Sequence, residues 1–299
     1  MKLRILYDVD GWAYHRRALM LKQYLPPAFE TTIAPLETTD PATAVGHSPP
    51  DLVFLLAQEF LKPVRMVLRE HQWSSKVLVA WNLGWPRRIG QFHPVYQDAD
   101  AIVFNNEAYW AGLGRLPRTH MVPNGVDLSI FYPEAPMKDR APKVLWVGSQ
   151  KYRKLKGFDD IMLPLCEDIK TLGIECDLML VDSFAGGRRS AVQMAKWYNR
   201  GTIFVCSSES EGTPNPALEA AACGCTLIST AVGNMPQLIR NGSNGFLVDR
   251  NLAAMRHGII AACNNYVSLA EQLQHDIQQW SILKRSTDYA RLFQHVLNF

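Results

Sequence analysis

One stretch of this chain, residues 203–223, constrains the fold more than any other. It begins with Ile203–Cys206, an apolar run of strand length, and after Glu211 it continues with the breaker-rich turn Gly-Thr-Pro-Asn-Pro. Pro216 suits the first position of a helix, and the alanine-rich run behind it favours that helix. Glu211 is therefore predicted at the carboxyl end of a strand, and Glu219 in the first turns of the following helix.

The start of this predicted helix indicates what kind of ligand the segment serves. A helix N-terminus offers N–H groups without partners and a partial positive charge, so an anion such as a phosphate is stabilised there. Carboxylates beside such a site do not bind phosphate, but they accept hydrogen bonds from hydroxyl groups. Glu211 and Glu219 therefore predict a ligand in which hydroxyl-bearing rings, such as a sugar and a ribose, flank the phosphates.

Strands alternate with helices along the rest of the chain, which predicts an α/β fold with parallel sheets covered on both faces. Because 299 residues exceed the size at which a single core stops growing, two domains are expected, joined by a Pro- and Gly-rich linker at 117–142. The predicted strands are Leu3–Tyr7, Leu52–Leu56, Val77–Ala80, Ala101–Phe104, Val144–Val147, Leu178–Val181, Ile203–Cys206, Thr226–Ser229 and Phe246–Val248. The predicted helices are Tyr14–Tyr24, Phe158–Thr171, Ala191–Asn199, Pro216–Cys223, Met235–Arg240 and Leu252–Asn264, with a further helical pattern over 268–299.

Composition and charge exclude several classes of protein. Hydrophobic residues make up 47% of the chain, yet no apolar stretch reaches the roughly 18 residues of a membrane-spanning helix. The N-terminus reads as a strand and lacks the apolar core of a signal peptide, so a cytoplasmic location is expected. The six cysteines match no zinc-binding spacing, which favours reduced, mostly buried thiols. Charge is balanced over residues 1–135, so the net +3 lies in the half predicted to bind phosphates.

Four motifs, in order along the chain, resemble those of the family-4 retaining glycosyltransferases, which have the GT-B fold and use nucleotide sugars. The donor-site signature of that family is a glutamate, a glycine-rich loop and a second glutamate followed by Ala and a Cys-Gly pair. Here it is Glu211-Gly212, Glu219-Ala220 and Cys223-Gly224. The resemblance is specific over roughly residues 120–250 and weak over the first 100. The other motifs are Val122–Asp127 with Phe131 and Pro133, Val144–Gly148 followed by Lys156-Gly157, and Asn241–Val248.

The resemblance implies a GT-B fold, in which two Rossmann-like parallel-sheet domains face each other across a cleft. Residues 1–135 would form the acceptor-binding domain, with the linker from about residue 117, and residues 136–280 the donor-binding domain. Residues 281–299 would form a helix that returns to the first domain. The implied reaction is the retaining transfer of a sugar from a nucleotide-diphosphate sugar to an acceptor hydroxyl, in the family most often on a saccharide or glycan. No metal cofactor is expected, because the helix terminus and a lysine replace a cation.

By the same resemblance, the donor is expected to meet residues from three segments. Glu211 would contact the transferred sugar and Glu219 the ribose hydroxyls, while backbone N–H groups at the helix start would donate to sugar and phosphate oxygens. Gly11, in the loop after the first strand, would approach the diphosphate closely. The remaining predicted donor-binding residues are Gly148, Ser149, Asn215, Pro216, Ala217 and Leu218.

A basic loop after Gly148 is the predicted source of positive charge for the leaving diphosphate. Lys156 precedes a glycine, as the corresponding lysine of the family does. The family also has an arginine directly after the first glycine, where this chain has Ser149. Arg153 is predicted to substitute for that arginine, with Lys151 as the alternative. The predicted catalytic residues are therefore Glu211, Lys156 and Arg153.

Two clusters of aromatic and basic residues follow strands of the first half and have no place in the donor motifs. Aromatic rings stack on a sugar ring or a base, and arginines hold phosphate, so these clusters are the predicted acceptor site. The family often carries a histidine near these strand ends that touches the sugar, whereas this chain has Gln58 and Trp81-Asn82 there. The predicted acceptor-binding residues are Trp12, His15, Arg16, Trp81, Asn82, Trp85 and Arg88.

Three alternatives stay open at the level of sequence. A hydroxylated base in DNA as acceptor would use the same Arg and Trp clusters, but duplex binding normally needs a basic stripe that the charge-balanced first half lacks. A non-catalytic nucleotide-sugar-binding module would explain the missing arginine and histidine of the family, although the intact glutamate pair argues for catalysis. Weak association with a membrane surface through Tyr14–Tyr24 is disfavoured, because that helix is short and only modestly basic.

Overall fold

The chain folds into two compact units. The computed structural model describes residues 1–11, 13–81, 89–182 and 189–298. Unit 1 comprises residues 1–123 and the segment from Ile282 onward, and unit 2 comprises residues 124–281. The chain leaves unit 1 after Pro123, within the predicted linker span, and its last helix belongs to unit 1.

Each unit is built on one parallel β-sheet. The strands are short apolar runs buried on both faces, such as Leu52–Leu55, which is the pattern that a parallel sheet covered by helices requires. The strands of unit 1 are β1 (Lys2–Tyr7), β2 (Glu30–Pro35), β3 (Leu52–Leu55), β4 (Lys76–Trp81), β5 (Ala101–Phe104) and β6 (Thr119–Met121). The strands of unit 2 are β7 (Lys143–Ser149), β8 (Glu175–Val181), β9 (Ile203–Cys206), β10 (Thr226–Ser229) and β11 (Gly245–Leu247).

Helices cover the faces of both sheets. They are α1 (Ala13–Tyr24), α2 (Pro41–Val45), α3 (Leu61–Glu70), α4 (Ile89–Asp98), α5 (Glu107–Gly112), α6 (Leu163–Lys170), α7 (Ala191–Tyr198), α8 (Asn215–Ala222), α9 (Met235–Leu238), α10 (Leu252–Ile277) and α11 (Ile282–Leu297). Helix α11 packs on the sheet of unit 1, with the rings of Tyr289 and Phe293 lying 5.5 and 5.3 Å from that of Phe54. Within the described ranges, no helix is both long and apolar enough to cross a membrane.

The order of the strands creates one reversal point in each sheet. Unit 1 has the order β2-β1-β3-β4-β5-β6, and unit 2 has the order β11-β10-β9-β7-β8. The connections therefore leave in opposite directions between β1 and β3, and between β7 and β9. In parallel sheets of this kind, the crevice at the carboxyl ends of these two strands is the usual place for a ligand.

All nine predicted strands form, and three of them, β5, β9 and β10, have the predicted ends. Two edge strands, β2 and β6, were not predicted; β2 is half-exposed and ends in a proline, so its sequence lacks the apolar run of a central strand. Helix α10 continues to Ile277, past the predicted end at Asn264, because it bends at Asn265 instead of ending there. The predicted fold class, α/β with two parallel sheets, is confirmed.

Candidate active site at the reversal point of unit 2

A charge pair joins the two loops at the reversal point of unit 2. Lys156 lies in the loop after β7, and Glu211 in the loop after β9. The ammonium group of Lys156 forms an ion pair with Oε1 of Glu211, and the hydroxyl of Ser208 donates to the same oxygen at 2.7 Å. The side chains of Lys156 and Glu211 are 27% and 12% exposed, so the pair is largely withdrawn from bulk water. The structure therefore brings two of the three predicted catalytic residues together.

The loop that carries Lys156 is attached to the end of β9 through Ser207. The hydroxyl of Ser207 donates to the carbonyl oxygen of Lys156 at 2.8 Å and accepts from Nε1 of Trp146 at 3.1 Å. Gly157 adopts a φ of 77°, and a Cβ atom there would lie 2.7 Å from the carbonyl oxygen of Ser207. Nε of Arg250 donates to that same oxygen at 3.1 Å. Lys156 is thus positioned by a glycine that permits close contact between two backbones.

Glu219 lies in the second turn of α8, where the predicted helix places it. Its side chain is only 8% exposed, and the hydroxyl of the fully buried Tyr198 donates to Oε2 at 3.0 Å. Tyr198 is the last residue of α7, so the packing of α7 on α8 fixes the orientation of the carboxylate. Sequence reasoning did not identify Tyr198, because a contact between two helices leaves no local signal.

The backbone at the start of α8 differs from the expectation. The N–H of Asn215 donates to the carbonyl oxygen of Thr213 at 2.9 Å, while those of Ala217 and Leu218 donate to that of Pro214 at 2.9 and 3.4 Å. Pro214 has φ −75° and ψ 81°, close to the centre of an inverse γ-turn, which turns the preceding carbonyl groups toward the helix. These three amides are thus satisfied within the turn, and Pro216 has no N–H to offer.

Side chains from neighbouring segments hold this turn in place. Nδ2 of Asn124 donates to Oδ1 of Asn215 at 3.0 Å, and Nδ2 of Asn234 donates to Oγ1 of Thr213 at 2.9 Å. Gly233 has a φ of 57°, and a Cβ atom there would lie 2.8 Å from the carbonyl oxygen of Gly212. Oδ1 of Asn124 is buried and has no hydrogen-bond partner among the described residues. Asn124, in the motif that resembles the interdomain connector, is therefore an additional candidate for contact with a ligand.

Arg153, the third predicted catalytic residue, does not join the Lys156–Glu211 pair. Its guanidinium forms a two-pronged ion pair with Asp159, six residues further along the same loop, and lies 5.0 Å from the ring of Phe158. A planar guanidinium matches a carboxylate in this geometry, so Arg153 closes its own loop instead of substituting for the arginine of the family. Of the two basic residues Lys156 and Arg153, we therefore retain Lys156 as the candidate cation.

Gly148 and Ser149 end strand β7. A Cβ atom on Gly148 would lie 2.4 Å from the ring of Trp146, so packing within the unit by itself requires glycine at this position. Ser149, the last residue of β7, is half-buried at the carboxyl edge of the sheet, where its hydroxyl group is near the start of the basic loop.

In unit 1, the loop after β1 folds around His15. The N–H of Gly11, whose φ is 79°, donates to Nδ1 of His15 at 2.7 Å. The imidazole stacks on the ring of Tyr7 with centroids 4.8 Å apart, and the hydroxyl of Tyr7 donates to Oδ1 of Asp10 at 2.7 Å. Because Nδ1 of His15 accepts a hydrogen bond, the neutral ring carries its proton on Nε2. Arg16, the next residue, is exposed.

Of the predicted acceptor residues in the Trp81–Arg88 segment, Trp81 lies within the described ranges. Trp81 is 4% exposed and packs edge-on against Phe92, with ring centroids 5.2 Å apart. Its ring belongs to the core of unit 1, and this burial argues against the predicted contact of Trp81 with an acceptor. Trp12, Asn82, Trp85 and Arg88 lie outside the described residues.

Asp8 is a candidate that sequence reasoning missed. It follows β1 at the reversal point of unit 1 and is 9% exposed, and one of its carboxylate oxygens has no hydrogen-bond partner in the described ranges. Burial raises the pKa of Asp8, and the nearby carboxylates of Glu37 and Glu59 raise it further, against two backbone hydrogen bonds that lower it. A buried carboxylate with an unpaired oxygen is suited to accept a hydrogen bond from a ligand hydroxyl.

The cysteines and acidic residues form no evident metal centre in the part of the chain described here. No group of three or more His, Cys, Asp or Glu side chains within those ranges is arranged to hold a metal ion. The six cysteines are free thiols. Cys206, Cys223 and Cys225 are buried, and burial raises the pKa of each, so they act as small apolar side chains of the core.

Two parallel-sheet units, one with a charge pair and a buried glutamate at its reversal point, define a two-domain α/β protein with a candidate ligand site at the carboxyl edge of the second sheet. Residues 182–265 match a protein family described as Glycosyl transferases group 1. The D-inositol 3-phosphate glycosyltransferase 1 of Catenulispora acidiphila is 26% identical over an alignment that covers 59% of this chain and 52% of the relative. The alpha-maltose-1-phosphate synthase of Mycolicibacterium smegmatis is 26% identical over 44% of this chain and 42% of the relative.

Solved structures match over nearly the whole chain. A sucrose-phosphate synthase from Thermosynechococcus elongatus has a TM-score of 0.77 at 15% identity, covering 100% of this chain and 99% of that chain. The Anabaena HepE protein in complex with UDP-glucose has a TM-score of 0.69 at 14% identity, covering 99% of this chain and 100% of that chain. At such identities the likeness establishes the fold, and the predicted GT-B architecture is confirmed.

The comparisons also bear on the predicted class of protein. The chain spans about half the length of the curated relatives it matches, with 52% of the first and 48% of the second covered. The predicted resemblance to nucleotide-sugar-dependent glycosyltransferases of the GT-B type is confirmed by the family match, the curated relatives and the structural neighbours together. They support the prediction of an enzyme in the glycosyltransferase class.

Proposed function

We propose that this protein is a retaining glycosyltransferase that moves a sugar from a nucleotide-diphosphate sugar to a hydroxyl group of a saccharide or glycan. The observation that carries the proposal is the ion pair of Lys156 with Glu211 across the reversal point of unit 2. Beside it, helix α8 holds the buried carboxylate of Glu219. One cation and two carboxylates are the groups that a diphosphate flanked by two polyhydroxylated rings requires.

In the proposed reaction, Lys156 stabilises the leaving group. Negative charge develops on the diphosphate as the bond to the sugar breaks. The side chain of Lys156, which is 27% exposed, is partly withdrawn from water, so its ammonium group can stabilise that charge more strongly than it would in bulk water. The ion pair with Glu211 orients the ammonium group before the donor binds. A lysine has three N–H donors, so it can keep Glu211 as a partner while it donates to a phosphate oxygen.

The two glutamates have different proposed roles. Glu211 lies beside the reacting sugar, where its negative charge stabilises the oxocarbenium character that the ring acquires in the transition state. Glu219 accepts hydrogen bonds from the ribose hydroxyls of the nucleotide throughout the reaction. The hydrogen bond from Tyr198 to Oε2 of Glu219 supports this role, because it orients the carboxylate before the nucleotide arrives.

For the acceptor, the proposal points to unit 1. Nε2 of His15 carries a proton that can be donated to an acceptor oxygen, Arg16 adds an exposed positive charge, and Asp8 has an unpaired carboxylate oxygen. These residues follow β1, at the reversal point of the sheet of unit 1. Trp12, Asn82, Trp85 and Arg88 remain part of the proposed acceptor site on the sequence argument alone.

A donor hydrolysis assay tests this function. We would incubate the full chain with UDP-glucose, GDP-mannose and ADP-glucose in EDTA, and follow the released sugar by proton NMR. UDP-glucose is included because the structural neighbour HepE is in complex with it. The proposal expects release of nucleoside diphosphate from one donor without added metal, with the sugar initially in the anomeric configuration of the donor. Release of the opposite anomer would contradict retention, and binding of a donor without release, also when saccharide acceptors are added, would indicate a non-catalytic module.

A further inference from the structure

A cavity lies in unit 2, at the opposite edge of its sheet from the Lys156–Glu211 pair. It has a volume of about 710 Å³ and is lined by residues at the amino ends of β7 and β8, including Lys143 and Glu175, and by Ile260 of α10. Because all strands of the sheet are parallel, this amino edge is separated from the carboxyl edge by the length of the strands. The volume lies within the range of sites for small molecules.

Two arginines give this cavity an uncompensated positive charge. Arg140 is 9% exposed and Arg200 is exposed, and neither pairs with a carboxylate among the residues that the structure describes. Lys143 and Glu175, 2.9 Å apart, form an ion pair at the rim and largely cancel each other. The cavity is thus cationic through its arginines, whose planar guanidinium groups match phosphate oxygens.

Arg140 also has one donor without a partner. Its terminal nitrogens donate to the carbonyl oxygens of Cys223 at 3.0 Å and Ala135 at 3.0 Å, and to Oδ1 of Asn199 at 2.7 Å. Nε of Arg140 is buried and makes no hydrogen bond within the part of the chain that the structure describes. The terminal N–H groups of Arg140 are thus used within the protein, where they tie the ends of α7 and α8 together, and the buried guanidinium contributes its positive charge to the cavity.

The rest of the cavity lining indicates what kind of molecule would carry a phosphate group into this cavity. Leu172, Ile174 and Ile260 form an apolar wall, and Leu172 is 47% exposed although it is a leucine. A bare phosphate ion would leave most of this volume and the apolar wall unused. Asn264 and the Lys143–Glu175 pair, on the other hand, offer donors and acceptors for hydroxyl groups.

We propose that this cavity is a binding site for a small phosphate monoester with a hydroxyl-bearing body, such as a sugar phosphate, distinct from the donor site. Arg200 holds the phosphate, the buried positive charge of Arg140 adds to the attraction, the apolar wall packs against the carbon skeleton, and the rim pair meets the hydroxyl groups. This assignment does not depend on the reaction at the other edge of the sheet.

Cys263 provides a reporter inside the cavity. It is half-buried in the lining, and burial raises the pKa of its thiol, so its reaction with iodoacetamide is slow enough to follow by mass spectrometry. Cys166, also half-buried but outside the lining, is an internal reference in the same molecule. In the full chain, glucose 6-phosphate at ten times its dissociation constant should slow the alkylation of Cys263 about tenfold and leave that of Cys166 unchanged, because only the unoccupied fraction reacts.

Variants and analogues complete the test. Arg200→Glu should raise the concentration of glucose 6-phosphate needed for half-protection by about tenfold or more, because a like charge now faces the phosphate. Lys196→Glu, which makes the same charge change one turn earlier at an exposed position outside the lining, should leave it unaltered. Because both positions are exposed, both variants should fold, and their thermal unfolding and UDP binding check this independently.

Four results would overturn the assignment. Glucose 6-phosphate that fails to protect Cys263 in the wild-type chain would exclude the site. Equal protection of Cys263 in Arg200→Glu and in the wild-type chain would show that Arg200 does not bind the phosphate. Equal protection by inorganic phosphate at the same concentration would reduce it to a simple anion site, and equal protection by glucose would show that the phosphate is not recognised.

Discussion

The hydroxyl of Tyr198, at the end of α7, donates a hydrogen bond to Oε2 of Glu219, in the second turn of α8, over 3.0 Å. Both side chains are buried, so water cannot replace either partner. The contact links the core of unit 2 to the carboxylate that we propose to bind the ribose. The orientation of a ligand-binding residue is therefore set by a helix that carries no part of the donor motif.

Tyr198→Phe removes this hydroxyl and keeps the ring in the core. The buried carboxylate loses the hydrogen bond from this hydroxyl, so the free energy of unfolding should fall by about 1–3 kcal/mol. Affinity for the nucleoside diphosphate should fall as well, because Glu219 is no longer oriented. Urea unfolding and calorimetric titration with UDP measure the two effects. Unaltered UDP affinity in a destabilised variant would mean that the tyrosine serves only the core.

Glu219→Ala and Glu211→Ala should separate binding from turnover. The first removes a contact that we propose to persist throughout the reaction, so it weakens nucleotide affinity. The second removes a contact to the sugar that strengthens in the transition state, so it mainly lowers kcat. Donor hydrolysis at saturating donor and UDP titration distinguish the variants. The roles would be reversed if Glu211→Ala lost nucleotide affinity while its turnover at saturation stayed unchanged.

Lys156→Ala should lower turnover by about 10²–10³-fold, which corresponds to about 3 kcal/mol, because the leaving diphosphate loses its cation. Lys154, two residues earlier in the same loop, is exposed, and Lys154→Ala is the matched control that should retain activity. Lys156→Arg keeps the charge but not the compact ammonium group, so it should recover only part of the rate. Similar rates for Lys156→Ala and Lys154→Ala would remove Lys156 from the proposed mechanism.

The parts of this molecule that sequence predicts well are those with a local cause. Strand β9 and helix α8 follow from an apolar run, two prolines and an alanine-rich segment, so the locations of Glu211 and Glu219 were predicted correctly. The pairing of Lys156 with Glu211 was not, because the two residues are 55 positions apart and meet only through the order of β7 and β9. Trp81 was placed at a surface because it ends a strand, yet packing against Phe92 decides its burial.

Asp8→Asn should stabilise the protein at neutral pH. A pKa raised in the folded state means that the folded state binds the proton more tightly than the unfolded chain does, so the stability from this group is present below the ordinary aspartate pKa of about 3.9 and is lost as the pH rises through the folded-state value. Asparagine removes this loss, so the gain in unfolding free energy should grow with pH above about 4. Urea unfolding at a series of pH values measures it.

The same substitution tests the proposed acceptor site. If Asp8 accepts a hydrogen bond from an acceptor hydroxyl, Asp8→Asn should raise the KM of the acceptor while donor hydrolysis stays nearly constant. A more stable variant with an unchanged acceptor KM would show that Asp8 is buried by packing and does not bind the acceptor. A variant that is less stable at every pH would contradict the raised pKa itself.

The last prediction concerns Gly157, which brings the loop of Lys156 onto the end of β9. Gly157 and Gly173 have nearly the same backbone conformation, with φ of 77° and 75°, but a Cβ atom would lie 2.7 Å from the carbonyl oxygen of Ser207 at the first position and would have no neighbour within 4 Å at the second. Gly173→Ala should therefore lower the free energy of unfolding by about 1–2 kcal/mol, which is the cost of placing a residue other than glycine in the left-handed conformation. Gly157→Ala should cost about 1–3 kcal/mol more from the contact with Ser207.

The two glycine variants should differ in activity as well as in stability. Gly157→Ala pushes the loop away from Ser207, so Lys156 moves from Glu211 and turnover should fall at a temperature where the variant is still folded. Gly173→Ala lies at the other edge of the sheet and should keep the wild-type turnover. Urea unfolding and donor hydrolysis of both variants check this. Equal stability losses in the two variants, with equal turnover, would mean that the close approach of Gly157 to Ser207 does not position Lys156.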